Sequence, residues 1–163
     1  MDQSLFNKGE TPAEFIESMG DNRAKFEEHI DAMDLNASQT SNLPNNLKMA
    51  VIAEVWSGDV LYYMPVLLKI AQQADWDVRV FRREKFPKFR DQYLKDGLFR
   101  SIPVVVIYDQ DFNEIAHWIE RPEIATQIIE EESLKLRRRL REEYKDKWQH
   151  ATVEEVHNIF KAA

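Results

Sequence analysis

A short break in the hydrophobic pattern, Trp56-Ser57-Gly58-Asp59-Val60, separates the apolar run Met49-Ala50-Val51-Ile52-Ala53 from the run Leu61 to Leu68. The first run is continuous rather than alternating, as expected of a strand buried on both faces. The second carries a helical pattern from about Asp59 to Ala74, with Pro65 placed to kink it. A buried strand that gives way to a helix within a few residues points to an α/β domain, and the chain changes period again further on. Asp77 to Arg82 is close to strict alternation and predicts a strand; Phe86 to Leu98 is a mixed helical stretch with Gly97 near its end. Pro103 to Tyr108 predicts a buried strand. Asp109-Gln110-Asp111 makes a turn, and Glu114 to Trp118 a short return strand.

Helical patterns flank this block. Thr11 has the position of an N-cap, with Pro12 at the first helical residue and Glu14 completing a capping box. A second helix is expected from Asp21, presenting Phe26, Ile30 and Met33, and the Asn- and Ser-rich stretch Asn36 to Asn46 predicts a loop. Arg121-Pro122-Glu123 opens a long tail helix whose apolar side is marked by Ile124, Ile128, Ile129, Leu136, Leu140, Tyr144 and Trp148. A last short helix is expected from Thr152, with Glu155 completing a capping box. The order, helices and then β-α-β-α-β-β-α, predicts an α/β fold around a central mixed sheet. Residues 1–44 are the expected N-terminal helical extension, 45–122 the core, and 123–163 the C-terminal helices completing a single domain. The tail's apolar side is longer than one sheet requires, so Leu136 to Trp148 calls for cover from the N-terminal helices or from a second subunit.

Composition narrows the chemistry. At 163 residues, with 44% hydrophobic and 31% charged residues, the chain has the make-up of an ordinary globular protein. It contains no cysteine, which excludes disulfides, thiolate nucleophiles and Cys-ligated metals. Its net charge of −7 speaks against nonspecific binding to nucleic acid or to anionic membranes. The basic cluster Arg137-Arg138-Arg139 with Arg141 is interleaved with glutamates and fits a solvated helix face. No apolar run approaches the roughly 20 residues of a membrane-spanning helix, and no secretory signal pattern opens the chain. The expected location is the cytoplasm.

The break and its surroundings resemble the redox corner of the thioredoxin family, Trp-Cys-Gly-x-Cys, with both sulfurs missing. Trp56 matches the aromatic before the first cysteine, Ser57 that cysteine, Gly58 the next position and Val60 the second cysteine. Pro65 stands where the family kinks its helix, and Ile102-Pro103 resembles the family's cis-proline at the start of the third strand. The closer likeness is to a bacterial subgroup reading Trp-Cys-Gly-Asp followed by a Leu-Pro-Val-Leu segment, here Trp56-Ser57-Gly58-Asp59 and Met64-Pro65-Val66-Leu67. The likeness covers roughly residues 45–122. It implies a thioredoxin-like fold and, since Val51 also replaces the family's buried acid, a site that has lost dithiol chemistry. An alcohol at position 57 is far too weakly acidic to attack a disulfide at neutral pH.

What remains at the corner is structural or binding chemistry. Ser57 is expected to cap the helix, and Asp59 to favour the positive end of its dipole. A serine triad needs a base beside Ser57; of the four histidines His117 comes nearest, but no nucleophile-elbow pattern surrounds the serine. No His-x-x-x-His spacing supplies a metal pair, and neither metal nor cofactor is expected. The resemblance implies that Trp56, Ser57, Gly58, Asp59, Ile102 and Pro103 form a binding surface for an unidentified protein or peptide. The main expectation is therefore a thioredoxin-like binding or scaffold module without redox cysteines. The alternatives are a thiol–disulfide oxidoreductase whose cysteines were lost or replaced, and a homodimeric structural protein built on the tail helix.

Overall fold

The structure, a computed structural model, describes residues 1–33, 35, 43–147, 149–152 and 155. Its centre is a four-stranded mixed sheet in the order β2-β1-β3-β4, formed by β1 (Lys48–Ala53), β2 (Asp77–Arg82), β3 (Val104–Tyr108) and β4 (Glu114–Ile119). β1 pairs in parallel with β2, in register from Lys48 with Asp77 to Ala53 with Arg82. It pairs antiparallel with β3, where Lys48 faces Tyr108 and Ile52 faces Val104. β3 and β4 form the antiparallel return expected from the turn at Asp109, with a register shift at Ile107 and Tyr108. The continuous apolar runs of β1 and β3 are buried along almost their whole length, which is why neither alternates in sequence.

Three N-terminal helices, α1 (Gln3–Phe6), α2 (Pro12–Glu17) and α3 (Arg23–Ala32), bury Phe6, Phe15 and Phe26 completely in the core that packs on this sheet. Each such aromatic contributes on the order of 2–3 kcal/mol by leaving water. Thr11 and Glu14 form the predicted capping box of α2. The second helix, expected from Asp21, begins instead at Arg23, because Gly20–Asn22 form a 3-10 turn first. Neither α1 nor the strand-like pairing of Glu10 carries a periodic signal in the sequence. Glu10 pairs antiparallel with Val80, exchanging backbone hydrogen bonds of 2.8 and 2.7 Å, so the N-terminal segment covers part of the outer edge of β2. This close approach needs Gly9. A Cβ there would lie 2.7 Å from the Cβ of Arg79 and 3.0 Å from the Phe81 ring.

β1 leads into α4 (Gly58–Gln73), which contains Pro65. Proline has no N–H, so the carbonyl of Leu61 one turn earlier loses its helical donor. His29 of α3 replaces it: its Nδ1 lies 3.0 Å from the Leu61 oxygen and, facing an acceptor, must carry the proton. The Tyr62 ring packs beside the imidazole at 4.7 Å and accepts a hydrogen bond from Lys25 at its hydroxyl. His29→Ala is expected to cost about 1–2 kcal/mol by stranding that carbonyl. In a Pro65→Ala background the restored N–H should erase most of the loss, a difference that urea denaturation of the four-variant cycle would resolve. Equal cost in both backgrounds would show that the histidine acts only through packing.

One expected element differs in kind. The helical stretch predicted from Phe86 to Leu98 is a single short helix, α5 (Pro87–Arg90), followed by a tight reversal. Asp96 and Gly97 both lie in the left-handed region, at φ 52° and 70°, and Lys95 and Phe99 exchange backbone hydrogen bonds across the turn. Two consecutive positive-φ residues suit a hairpin turn and end any helix.

The chain divides into two compact units, Met1–Arg121 and Pro122–Ala163. The first contains the sheet together with the N-terminal helices. In the second, α6 (Glu123–Glu143) follows Pro122 as its N-cap and carries local pairs such as Lys135 to Glu132 at 2.7 Å. Trp148, residues 36–42 of the expected loop, and most of the short helix expected after Thr152 fall outside the described residues. Among the described residues no helix is long and apolar enough to cross a membrane.

Candidate functional site

The corner between β1 and α4 is built by the cap of the helix. Ser57 takes an extended backbone, φ −79° and ψ 124°, and its Oγ accepts a hydrogen bond from the Val60 N–H at 3.3 Å. That is the N-cap expected for this residue type, with Gly58 and Asp59 opening the first turn. Ser57 and Val60 are buried, whereas Trp56 stands out, 60% exposed. Its ring is covered on one side by the guanidinium of Arg83, 4.9 Å from the centroid.

Ile102 and Pro103 reach the same end of the sheet. Because Ile52 pairs with Val104, the residues leaving β1 and those entering β3 emerge together. The Ile102–Pro103 peptide bond is cis, and both residues are buried. The link from Pro103 to the corner runs through the exit of β4. The Glu120 N–H donates to the Pro103 carbonyl at 2.7 Å, and the next residue, Arg121, donates to the Asp59 carboxylate at 2.7 Å. Glu120 adopts φ 73°, a conformation that a residue with a side chain adopts only when held. Here it is held from three directions, by Pro103, by Lys95 and by Arg121.

These contacts form a chain of alternating charge, Lys95–Glu120–Arg121–Asp59, across the base of the corner. Burial opposes ionisation of Glu120, but the donors Lys95, Arg121 and Ser101 outweigh it and hold its carboxyl below the ordinary value of 4.5. A carboxyl with a depressed folded pKa stabilises the fold above the unfolded value. That contribution fades as the pH falls through the lowered one. Lys95→Met should therefore move the Glu120 titration, followed by carboxyl-carbon NMR, up toward 4.5. An unmoved midpoint would mean that Arg121 and Ser101 alone set it.

The Ser57 hydroxyl is engaged in the helix cap. The Ser57 Oγ meets a backbone N–H and, among the described residues, no base. His117, the histidine expected nearest, pairs across the sheet with Val106, two rungs from the corner end. Its Nδ1 lies 2.7 Å from Glu114, and its ring packs against Tyr93. The same Glu114 accepts from the Tyr93 hydroxyl at 2.6 Å; burial, reinforced by that bond, pushes Tyr93 well above the ordinary tyrosine range. No group of three or more metal-ligating side chains occurs among the described residues. A groove of about 390 Å³ lined by Pro12, Ile30, Leu68 and Trp76 lies at the opposite end of the β1–β2 pair, away from the corner.

Sequence reasoning brings Trp56, Ser57, Gly58, Asp59 and the Ile102-Pro103 pair to one end of the sheet, and misses the charged residues that surround them. In the sequence Arg121 marks only the start of the tail helix, yet in the fold it neutralises Asp59. Its Nε is buried with no partner among the described residues. Arg83, Lys95 and Glu120 carry no local signal, because each meets the corner across a long stretch of chain.

A family model described as Thioredoxin matches residues 9–150. Among solved structures, a protein of unknown function from Pseudomonas aeruginosa superposes with a TM-score of 0.65 at 19% identity, over 76% of this chain and 80% of that one. An HIV epitope scaffold superposes with a TM-score of 0.64 at 18% identity, over the same shares. At such identities the two likenesses speak for the fold alone. No curated protein matches the sequence. The chain belongs to the thioredoxin family, has its α/β fold, and contains no cysteine.

Proposed function

We propose that this member of the thioredoxin family is a non-catalytic binding module, and that its docking surface is the corner around Trp56, Ser57, Gly58, Asp59, Ile102 and Pro103. The observation that carries the reading is the exposed Trp56 beside a serine whose hydroxyl is committed to capping the helix. On this reading Ser57 and Val60 occupy the two cysteine positions of the Trp-Cys-Gly-Asp subgroup. Ser57 keeps the helix start formed without contributing a nucleophile, and Asp59, neutralised by Arg121, places no free charge in the corner. An exposed indole at the same end of the sheet as a buried cis-proline is suited to holding an extended peptide, since a large rigid ring gives contact area at low entropic cost.

Two measurements test this together. Insulin disulfide reduction by the intact chain should stay at the buffer rate; turnover above it would overturn the non-catalytic reading. A photocrosslinking residue at the exposed position 58, where an added Cβ meets nothing within 4 Å, should form adducts with peptides from a random library, and Trp56→Ala should weaken binding of the captured peptides about tenfold or more. Binding indifferent to Trp56→Ala would remove the corner as the docking surface.

A further inference from the structure

We infer that the segment this corner accepts is acidic and carries a large apolar side chain; the inference rests on the binding reading above and names its partner class. Residues 82–100 hold seven basic side chains against three acidic ones, a net +4 in a chain of net −7, so the remainder carries −11. This basic segment lies against the corner. Arg83 covers the Trp56 ring and also donates to the Arg100 carbonyl at 3.2 Å, which ties the indole to the Lys95–Phe99 hairpin. The hairpin presents Leu98 and Phe99, 75% and 59% exposed, next to Arg100. Arg83 thus links the exposed Trp56 to the hairpin that carries the exposed Leu98 and Phe99.

Much of the positive charge is spent internally: Arg82 binds Glu10 and Lys95 binds Glu120, and these two carboxylates from outside the segment reduce its surplus of four to two. Arg90 and Arg100 both bind Asp91, at 2.8 and 3.0 Å, and hold its carboxyl down to about 2. Lys88 is exposed and makes no side-chain bond among the described residues. The remaining surplus of two positive charges, with Lys88 and Arg100 exposed near exposed apolar side chains, is complementary to a segment that alternates carboxylates with apolar anchors. A nucleic acid fits less well. One face of Trp56 is already occupied by Arg83 rather than free to stack a base.

The test uses the full chain and short fluorescein-labelled probes in anisotropy titrations. They are a peptide alternating Glu with Leu and Phe, a counterpart with Gln for Glu, a counterpart with Lys for Glu, and oligothymidylate. The acidic peptide should bind about tenfold tighter than the neutral one, lose affinity as salt rises, and outbind the basic one further. Lys88→Glu with Arg100→Glu should remove most of that advantage, and Leu98→Ser should weaken both acidic and neutral peptides. Because Arg100 contacts Asp91, Lys88→Glu alone serves as the second variant, and unchanged circular dichroism and Tm verify the fold of each. Equal affinity for acidic and neutral peptides, both sensitive to Trp56→Ala, would overturn the acidic preference and leave the corner in place. Peptide binding insensitive to Trp56→Ala would overturn the corner itself. Tighter binding of oligothymidylate than of the acidic peptide would replace a protein partner with a nucleic acid.

Discussion

The double substitution Ser57→Cys with Val60→Cys is expected to turn a chain that leaves insulin disulfides untouched into one that reduces them, raising turnover on the order of tenfold or more over buffer. The geometry for this is in place. Residues 57 and 60 are joined at the first turn of α4, where the Ser57 side chain already reaches the Val60 N–H at 3.3 Å. A thiol at position 57 would sit over the free N–H groups of the helix start, which favour the thiolate and lower its pKa below the ordinary value of about 8.5. Val60 is buried, which suits a resolving thiol that reacts with its neighbour rather than with solvent. Ser57→Cys alone should trap a mixed disulfide without turnover, because nothing resolves it. The rate of the double variant should stay below that of complete dithiol enzymes, since Val51 leaves the neighbouring strand without a proton carrier. Stopped-flow thiolate absorbance and the insulin assay read both quantities. An ordinary thiol pKa at position 57, with no turnover in the double variant, would mean that these positions are not the family's dithiol pair.

Glu10→Ala is expected to destabilise the fold by about 3 kcal/mol, more than the reverse deletion Arg82→Met, at about 1–2 kcal/mol. Arg82 lies at the end of β2, largely buried, and both its Nε and Nη2 bind the Glu10 carboxylate at 2.7–3.0 Å. It also donates to Ser18 and lies 4.5 Å from the centre of the Phe15 ring. Removing Glu10 leaves a buried cation with one hydroxyl for a partner. Removing Arg82 leaves a carboxylate that can still reach water, hence the asymmetry. The same glutamate carries the backbone bridge to Val80, so the ion pair holds the N-terminal segment on the sheet edge. Chemical denaturation of the two single variants and the double variant would measure this. Equal losses from the two single changes would show the pair to be solvated rather than buried.

The parts of the fold that are legible in the sequence are those encoded over a few neighbouring residues. β2 is readable from Asp77 to Arg82 because its sequence alternates, although Val80, Phe81 and Arg82 are all buried, and β1 and β3 because uninterrupted apolar runs mark strands covered on both faces. The caps at Thr11 and Ser57 follow from residue types that compete for free N–H groups. The Lys95–Phe99 hairpin escapes notice although Asp96-Gly97 is a turn signal, because its arms are too short to show a period. The Glu10–Val80 bridge is a single pair without any period, and no local rule could place it.

At the corner the division is the same. The absence of sulfur, the helix cap and the exposed indole are readable from Trp56-Ser57-Gly58-Asp59-Val60 and the residue types alone. The neutralisation of Asp59 by Arg121, the cover of Trp56 by Arg83 and the pinning of Glu120 by Lys95 are not. Periodicity and capping depend on the geometry of one or two turns of chain, so sequence alone determines them. A charge pair between residues 59 and 121 exists only once strand order, register and the return of β4 have brought the two backbones together. Only the tertiary structure decides that.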